Sequence, residues 1–250
     1  MHLVCLCPTY GRPSLPANAL ALFKAQVLRP FDTADLVIFD DAGQIDEQFE
    51  IDPPNRKRWV VFSRNAWQPL PTKYPDMVRL HAAWSMPPDP DVYVIWDDDD
   101  VYLPWHLAAH AESIAAGADW SHPSAVWSTY GRNPLIERPR PEAAAGRFHG
   151  AAAVTPACLA LSGGWCADDR ADYDQEHLRR WAAAGRRGDP CRTWPPSYVY
   201  RWADTQRNHC SGSIQHNRYK RPPIQEPGHV SLVTPVYDAS TAAILARLAK

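Results

Sequence analysis

Apolar runs separated by helical stripes organise the first hundred residues. Leu3-Val4-Cys5-Leu6, within residues 2–7, reads as a buried strand. Ser14 to Gln26 reads as a helix, with Ser14 placed to cap it and Leu15, Ala19, Leu22, Phe23 and Gln26 tracing one face. Leu36-Val37-Ile38-Phe39 is a second strand, ending in Asp40-Asp41, and Trp59-Val60-Val61-Phe62 is a third. A helix is expected over Pro75 to Trp84, with Pro75 tolerated in its first turn. Val92-Tyr93-Val94-Ile95-Trp96 is a fourth strand and runs straight into Asp97-Asp98-Asp99-Asp100; a helix then opens at Pro104 and runs to about Ala116.

This alternation predicts an α/β sandwich around a mostly parallel sheet. Ligands of such sheets bind outside the carboxyl ends of the strands. Three of those ends carry polar residues here: Pro8-Thr9-Tyr10, Asp40-Asp41 and Asp97 to Asp100. The fold therefore brings them to one edge.

The second half is less regular. Residues 119–154 hold short strands between Pro and Gly, a helix is expected from Asp172 to Ala184 with Gly185 as its stop, and residues 186–197 read as loop. Arg207 to Pro235 shows little periodicity, and Ala239 to Ala249 forms a short terminal helix. With no clean linker, residues 1–250 are expected to form one domain, a nucleotide half over 1–110 and an acceptor half over 111–250.

Composition narrows the class. Of 250 residues, 45% are hydrophobic and 22% charged, the profile of a globular chain rather than a disordered one. The formal net charge of −2 excludes a nucleic-acid binder that works through bulk positive charge. The 25 Pro are about twice ordinary usage and imply stiff loops. Residues 148–167 carry no formal charge, but Thr155, Pro156, Ser162, Gly163 and Gly164 interrupt them, so a buried strand and helix is expected rather than a membrane span. The start of the chain lacks a signal-peptide pattern. The six Cys have no zinc-type spacing, so reduced thiols and a cytoplasmic location are expected.

Four adjacent carboxylates repel one another unless a cation or solvent relieves them. Side chains alternate after a strand, which puts Asp97 and Asp99 on one side and Asp98 and Asp100 on the other. Paired carboxylates suit a hard cation, Mg²⁺ or Mn²⁺, shared with substrate phosphates. A solvated acidic turn before a helix is the plainer alternative.

The stretch from Val92 to Pro104, with its apolar strand, Asp-rich turn and following Pro, resembles the D-x-D region of GT-A-fold, family 2-like glycosyltransferases. Cys7-Pro8-Thr9-Tyr10-Gly11-Arg12-Pro13 resembles their opening nucleotide-pocket segment. Leu36 to Gly43 resembles their second-strand V-x-D-D-x-S turn, with Gly43 where Ser is common. The resemblance spans about residues 3–110. It implies a Rossmann-like GT-A sandwich and a metal-dependent transfer of sugar from a nucleotide-sugar donor, UDP-linked, to an acceptor hydroxyl.

The same resemblance implies roles. Pro8, Thr9, Tyr10 and Arg12 would line the nucleotide pocket, Asp40 or Asp41 would bind base or ribose, and Lys73 would stand near the diphosphate. Asp97 and Asp98 belong to the donor site. Asp97 would touch the ribose or a metal-bound water, and Asp99 would ligate Mn²⁺ or Mg²⁺, with His209 or its rival His216 completing the site.

His149-Gly150 through Ser162-Gly163-Gly164-Trp165 resembles the acceptor-side strand, helix and turn of these enzymes, giving His149, Gly164 and Trp165 as acceptor residues. The family carries a Glu-Asp pair at the next helix start, whose Asp is the base of an inverting displacement. Tyr173 replaces that Glu here. Alignment from Gly185 backward gives Asp174 as the base and alignment from Gly164 forward gives Asp172; the helical pattern favours Asp174. A nucleotidyltransferase would want a G-x-G-T-R loop where Pro8-Thr9-Tyr10-Gly11-Arg12 stands. A non-catalytic nucleotide-sugar or glycan binder is the other alternative. The acceptor class stays open among glycan, small molecule, protein and modified nucleic acid.

Overall fold

The structure is a computed structural model. It describes residues 1–9, 15–43, 45–46, 48–52, 56–63, 73–84, 89–130, 140–166 and 173–202. Tyr10, Arg12, Ser14, Asp172, Cys210, His209, His216 and the expected terminal helix lie outside the described residues.

In chain order the elements are β1 (His2–Thr9), α1 (Leu15–Lys24), β2 (Thr33–Asp40), β3 (Gln48–Asp52), β4 (Lys57–Ser63), α2 (Lys73–Trp84), β5 (Val92–Ile95), β6 (Val101–Tyr102) and α3 (His106–Ala115). They continue with β7 (Trp120–Ser121), β8 (Ala125–Tyr130), β9 (Arg140–Ala143), a 3-10 turn over His149–Ala151, β10 (Ala153–Val154), α4 (Pro156–Leu161), α5 (Tyr173–Ala184), β11 (Arg187–Gly188), a second 3-10 turn over Pro190–Arg192 and β12 (Tyr198–Trp202).

The central sheet runs β11-β7-β10-β5-β1-β2-β4-β3. Its middle, β5-β1-β2-β4, is wholly parallel. Strands buried on both faces read as unbroken apolar runs, and alternate residues of each run serve opposite faces. Leu3, Cys5, Leu36, Ile38, Val92 and Val94 pack with Phe23 of α1 and Leu107 of α3. Val4, Leu6, Val37, Phe39, Tyr93 and Ile95 pack with Met77 of α2, Leu159 of α4 and Trp181 of α5. Helices thus cover both sides of a mostly parallel sheet, the expected class. A second sheet, β6-β12-β8-β9, lies beyond the carboxyl end of β5.

Several elements differ from expectation, among them β11 and the second 3-10 turn inside the stretch read as loop, β11 being held by its pairing with β7. β3 pairs antiparallel with β4, Phe49 opposite Val60 and Ile51 opposite Arg58. Its Gln-Phe-Glu-Ile-Asp alternation is that of a short edge strand. α2 begins at Lys73, so Pro75 falls inside its first turn. The helix after the acidic turn begins at His106 rather than Pro104. Residues 101–102 are taken by β6, and the Pro104 carbonyl accepts from Val27 N at 2.7 Å. The uncharged stretch near residue 150 folds as a 3-10 turn, a short strand and α4, which is capped by the Thr155 hydroxyl accepting from Cys158 N. Among the described residues, no helix is long and apolar enough to cross a membrane. Gly185 closes α5 where a Cβ would come within 2.6 Å of Asp119 Cβ.

Candidate functional site

The carboxyl ends of β1, β2 and β5 meet. Asp41 N donates to the Thr9 carbonyl at 3.1 Å and Trp96 N to the Leu6 carbonyl at 3.0 Å. The turn after β5 therefore starts from a fixed platform. Trp96 is fully buried and stacks on Tyr102, ring centroids 3.9 Å apart, and Tyr102 OH accepts from Asp97 N at 2.5 Å.

The four aspartates alternate in burial. Asp98 and Asp100 are buried, whereas Asp97 and Asp99 keep an open side. Thr9 donates its hydroxyl to Asp98 at 2.7 Å, and Tyr198 of β12 donates to Asp100. Asp97 faces the centre. Burial first, then the nearby charges of Asp100, Asp99 and Asp174, push its carboxyl well above the usual range, with Lys73 opposing. A desolvated carboxyl among like charges is a place that a cation would stabilise, and the oxygen-only donors of Asp97 and Asp99 fit Mg²⁺ or Mn²⁺.

Gly150 fits this arrangement closely. A Cβ there would overlap Asp97 Oδ2 and stand 2.8 Å from Tyr198 OH. The preceding Phe148 takes a left-handed φ of 65°, and so turns the chain into the 3-10 turn that carries His149 and Gly150.

Beside the acidic turn lies an aromatic cluster, where the expected acceptor residues fall. Lys73, the first residue of α2, donates to Tyr173 OH at 3.0 Å, which joins the start of α2 to the start of α5. Asp174 lies in the first turn of α5, with its Oδ1 3.7 Å from His149 Nδ1. His149 is only 4% exposed, stacks on His177 and offers little surface to an acceptor. Trp165 stacks on Tyr74 at 5.0 Å and meets Tyr93, His177 and Trp181 edge-on, so it is tied into the packing while keeping part of its surface. Gly163 and Gly164 take φ of +88° and +81°, a backbone only glycine adopts readily, with nothing within 4 Å of a Cβ at either.

Of the sequence-derived candidates, Thr9, Asp97, Asp98, Asp99, Lys73, His149 and Asp174 come together. Pro8 lies beside them at the end of β1. Asp40 is engaged by its own turn: Oδ1 accepts from Ala42 N and Oδ2 from Ile45 N, each at 2.9 Å. Asp41 is buried next to it. Gly150, Tyr102 and His177 entered the sequence reading only as members of a motif or a helical run, and Tyr198 not at all. Tyr198 reaches Asp100 across 98 residues and His177 reaches His149 across 28, contacts that no local pattern signals.

Another charged cluster lies at the opposite, amino ends of the strands. His2, Asp35 and His81 bring ligand atoms within 4.8 Å of one another. Arg58 already forks Asp35, at 2.7 Å through Nε and 2.5 Å through Nη2, and His81 adds a contact at 2.8 Å. The cation of this cluster is the guanidinium, so it reads as a structural ion pair rather than a metal centre.

No family model matches the sequence, and no curated protein matches it. Solved structures do. S. aureus TarS 1–349 in complex with UDP-GlcNAc superposes with a TM-score of 0.57 and 12% identity, over 82% of this chain and 60% of that one. The same protein in complex with UDP gives 0.56 and 13%, over 81% and 61%, and TarS 1–349 alone gives 0.54 and 13%, over 80% and 60%. This chain spans about 60% of the length of those structures. At such identity the likeness establishes the fold.

Proposed function

We propose that this chain is a glycosyltransferase that takes a sugar from a nucleotide-sugar donor, UDP-linked, and passes it to an acceptor hydroxyl with inversion. The carrying observation is the convergence of Asp97, Asp99, Lys73 and Asp174 at the carboxyl ends of the parallel strands. The fold is also shared with a protein crystallised with UDP-GlcNAc and with UDP.

In this reading Thr9, Pro8 and Asp41, with Tyr10 and Arg12 from the following segment, line the nucleotide pocket. Asp97 and Asp99 would hold Mn²⁺ or Mg²⁺, which supplies Lewis-acid neutralisation of the departing diphosphate. Lys73 adds a cation beside the same phosphates. Asp174 accepts the proton of the acceptor hydroxyl. The freed oxygen bonds to the anomeric carbon from the face opposite the diphosphate. The bond to the leaving oxygen breaks, and its electron pair departs with the nucleotide. Asp98 and Asp100 keep the turn in shape through Thr9 and Tyr198. Cys5, Cys158 and Cys191 are free thiols, in keeping with a reducing, cytoplasmic setting. One domain containing both halves is part of the proposal.

The test is a screen of nucleotide sugars by thermal shift, with and without Mn²⁺, followed by turnover. A UDP-sugar is expected to raise Tm in a metal-dependent way, and Asp99→Asn and Asp174→Asn are expected to abolish transfer. Full transfer by both variants would refute the assignment. Binding without turnover by the parent would make the chain a non-catalytic binder.

A further inference from the structure

The proposed base stands at one end of a histidine pair. His149 Nδ1 faces Asp174 Oδ1 at 3.7 Å. His149 Nε2 meets His177 Nδ1 at 3.1 Å, with the two rings stacked 5.0 Å apart. At the far end, the backbone N–H of Cys166 donates to His177 Nε2 at 2.8 Å. Tyr74 covers both rings edge-on and Trp181 stacks beneath His177, so both imidazoles are buried.

A backbone amide can only donate. His177 Nε2 is therefore an acceptor, and a neutral ring must carry its proton on Nδ1. That proton points to His149 Nε2, which must accept in turn. The His149 proton is then on Nδ1, the nitrogen that faces Asp174. One fixed donor sets the tautomer of two rings. The rings are neutral: burial holds each down to about 3, with Lys73 adding to the effect at His149 and the neighbouring imidazole at His177, where Asp174 opposes it.

We propose that Cys166 N–H, His177 and His149 form a tautomer-locked relay that aims an N–H at the Asp174 carboxylate and orients it for proton abstraction. His149 is then a positioning residue rather than an acceptor contact. The proposal rests on Asp174 being the base in the function given above. The 3.7 Å separation is longer than a hydrogen bond, and catalytic contacts of this kind shorten when substrate fills the site. With Oδ1 held by His149, Oδ2 is the oxygen that receives the acceptor proton. No proton passes along the relay; it fixes direction and favours the ionised carboxylate. Among the described residues, the other groups near that carboxylate include Asp97 from the acidic turn, Tyr200 from β12, His177 on its own helix and Lys73, which holds the adjacent Tyr173.

Long-range ¹H–¹⁵N correlation spectra of the labelled full chain read the tautomers directly. Nδ1–H is expected at both His149 and His177, and Nε2–H at either overturns the proposal whatever the activity. Kinetics test the consequence. In His149→Phe, and in His177→Phe one ring further from the carboxylate, kcat for transfer is expected to fall on the order of tenfold. The acid limb of the pH–kcat profile should move to higher pH while the donor KM holds. His149→Asn, whose amide nitrogen stands where Nδ1 stood, should recover most of the rate and the parental limb. Phe variants that keep the parental profile, or that lose rate equally at every pH, overturn the relay. If a Phe variant fails to fold, the spectra of the parent still decide. Retained transfer in Asp174→Asn would defeat the functional reading while leaving the tautomers as measured.

Discussion

Thr9 donates its hydroxyl to Asp98 Oδ2 at 2.7 Å, across 89 residues of sequence. The bond joins the end of β1 to the acidic turn and gives a buried carboxylate its partner. Thr9→Val keeps the side-chain shape and removes the donor. Urea unfolding at pH 7 should show a loss of about 1–3 kcal/mol, the range for a bond to a buried charged group. An unchanged midpoint would mean that the turn is held without it.

Gly150→Ala tests the geometry around Asp97. The added methyl overlaps Asp97 Oδ2 and crowds Tyr198 OH, so one of them must move. The backbone at position 150 is not left-handed, and the strain falls on the carboxylate rather than on the chain. Transfer is expected to fall on the order of a hundredfold, as small misplacements in a reacting site do, with a stability loss of about 1–3 kcal/mol. Steady-state kinetics beside thermal unfolding separate the two effects. Wild-type turnover would show that Asp97 has no fixed role.

Acid should weaken the fold through its buried imidazoles. Burial holds His110 down to about 3 and His122 to about 4, against about 6.5 in an unfolded chain. Between those values the unfolded state binds protons that the native state does not, so stability falls as pH drops below about 6.5. Each ring contributes roughly 2 kcal/mol of loss by pH 5. Denaturant unfolding at pH 7 and pH 5 measures it, and His110→Gln should flatten the slope by one proton. Equal stability at both pH values would contradict the neutral burial of these rings.

Asp35→Asn should separate stability from activity. Against the upward push of burial, His2, His81 and Arg58 hold the Asp35 carboxyl well below its usual range, so its contribution is present above about pH 4 and lost only in stronger acid. Removing the carboxylate leaves the guanidinium without its forked partner and should cost about 3 kcal/mol at neutral pH. Because the cluster lies at the amino ends of the strands, turnover per folded molecule should stay at the parental value. A loss of turnover at full folding would mean that the cluster reaches the site.

The parallel core was legible because strands buried on both faces are written as uninterrupted apolar runs, as in Leu36-Val37-Ile38-Phe39. Edges were less so: β3 exists through its pairing with β4, and its five residues alternate too briefly to stand out. Within the acidic turn, alternation correctly separated buried Asp98 and Asp100 from the more open Asp97 and Asp99. Their partners could not be read. Tyr198 meets Asp100 across 98 residues, and His149 meets His177 across 28. Such contacts follow from the docking of whole elements, and a ring's tautomer follows from a backbone amide that sequence does not mark. Trp165 shows the converse, since an aromatic beside two glycines looks alike whether it meets a ligand or stacks on Tyr74.

The tyrosine of β12 also orders events in time. Asp100 leaves the ribosome 98 residues before Tyr198, roughly 5–20 s earlier at ordinary synthesis rates. Throughout that interval its carboxylate keeps its water, and the turn lacks a wall. The strands whose carboxyl ends carry Thr9, Asp40 and Asp97 are made first, and among the described residues the strand that seals the acidic turn comes last. A nascent chain therefore carries all four aspartates well before β12 can close on Asp100.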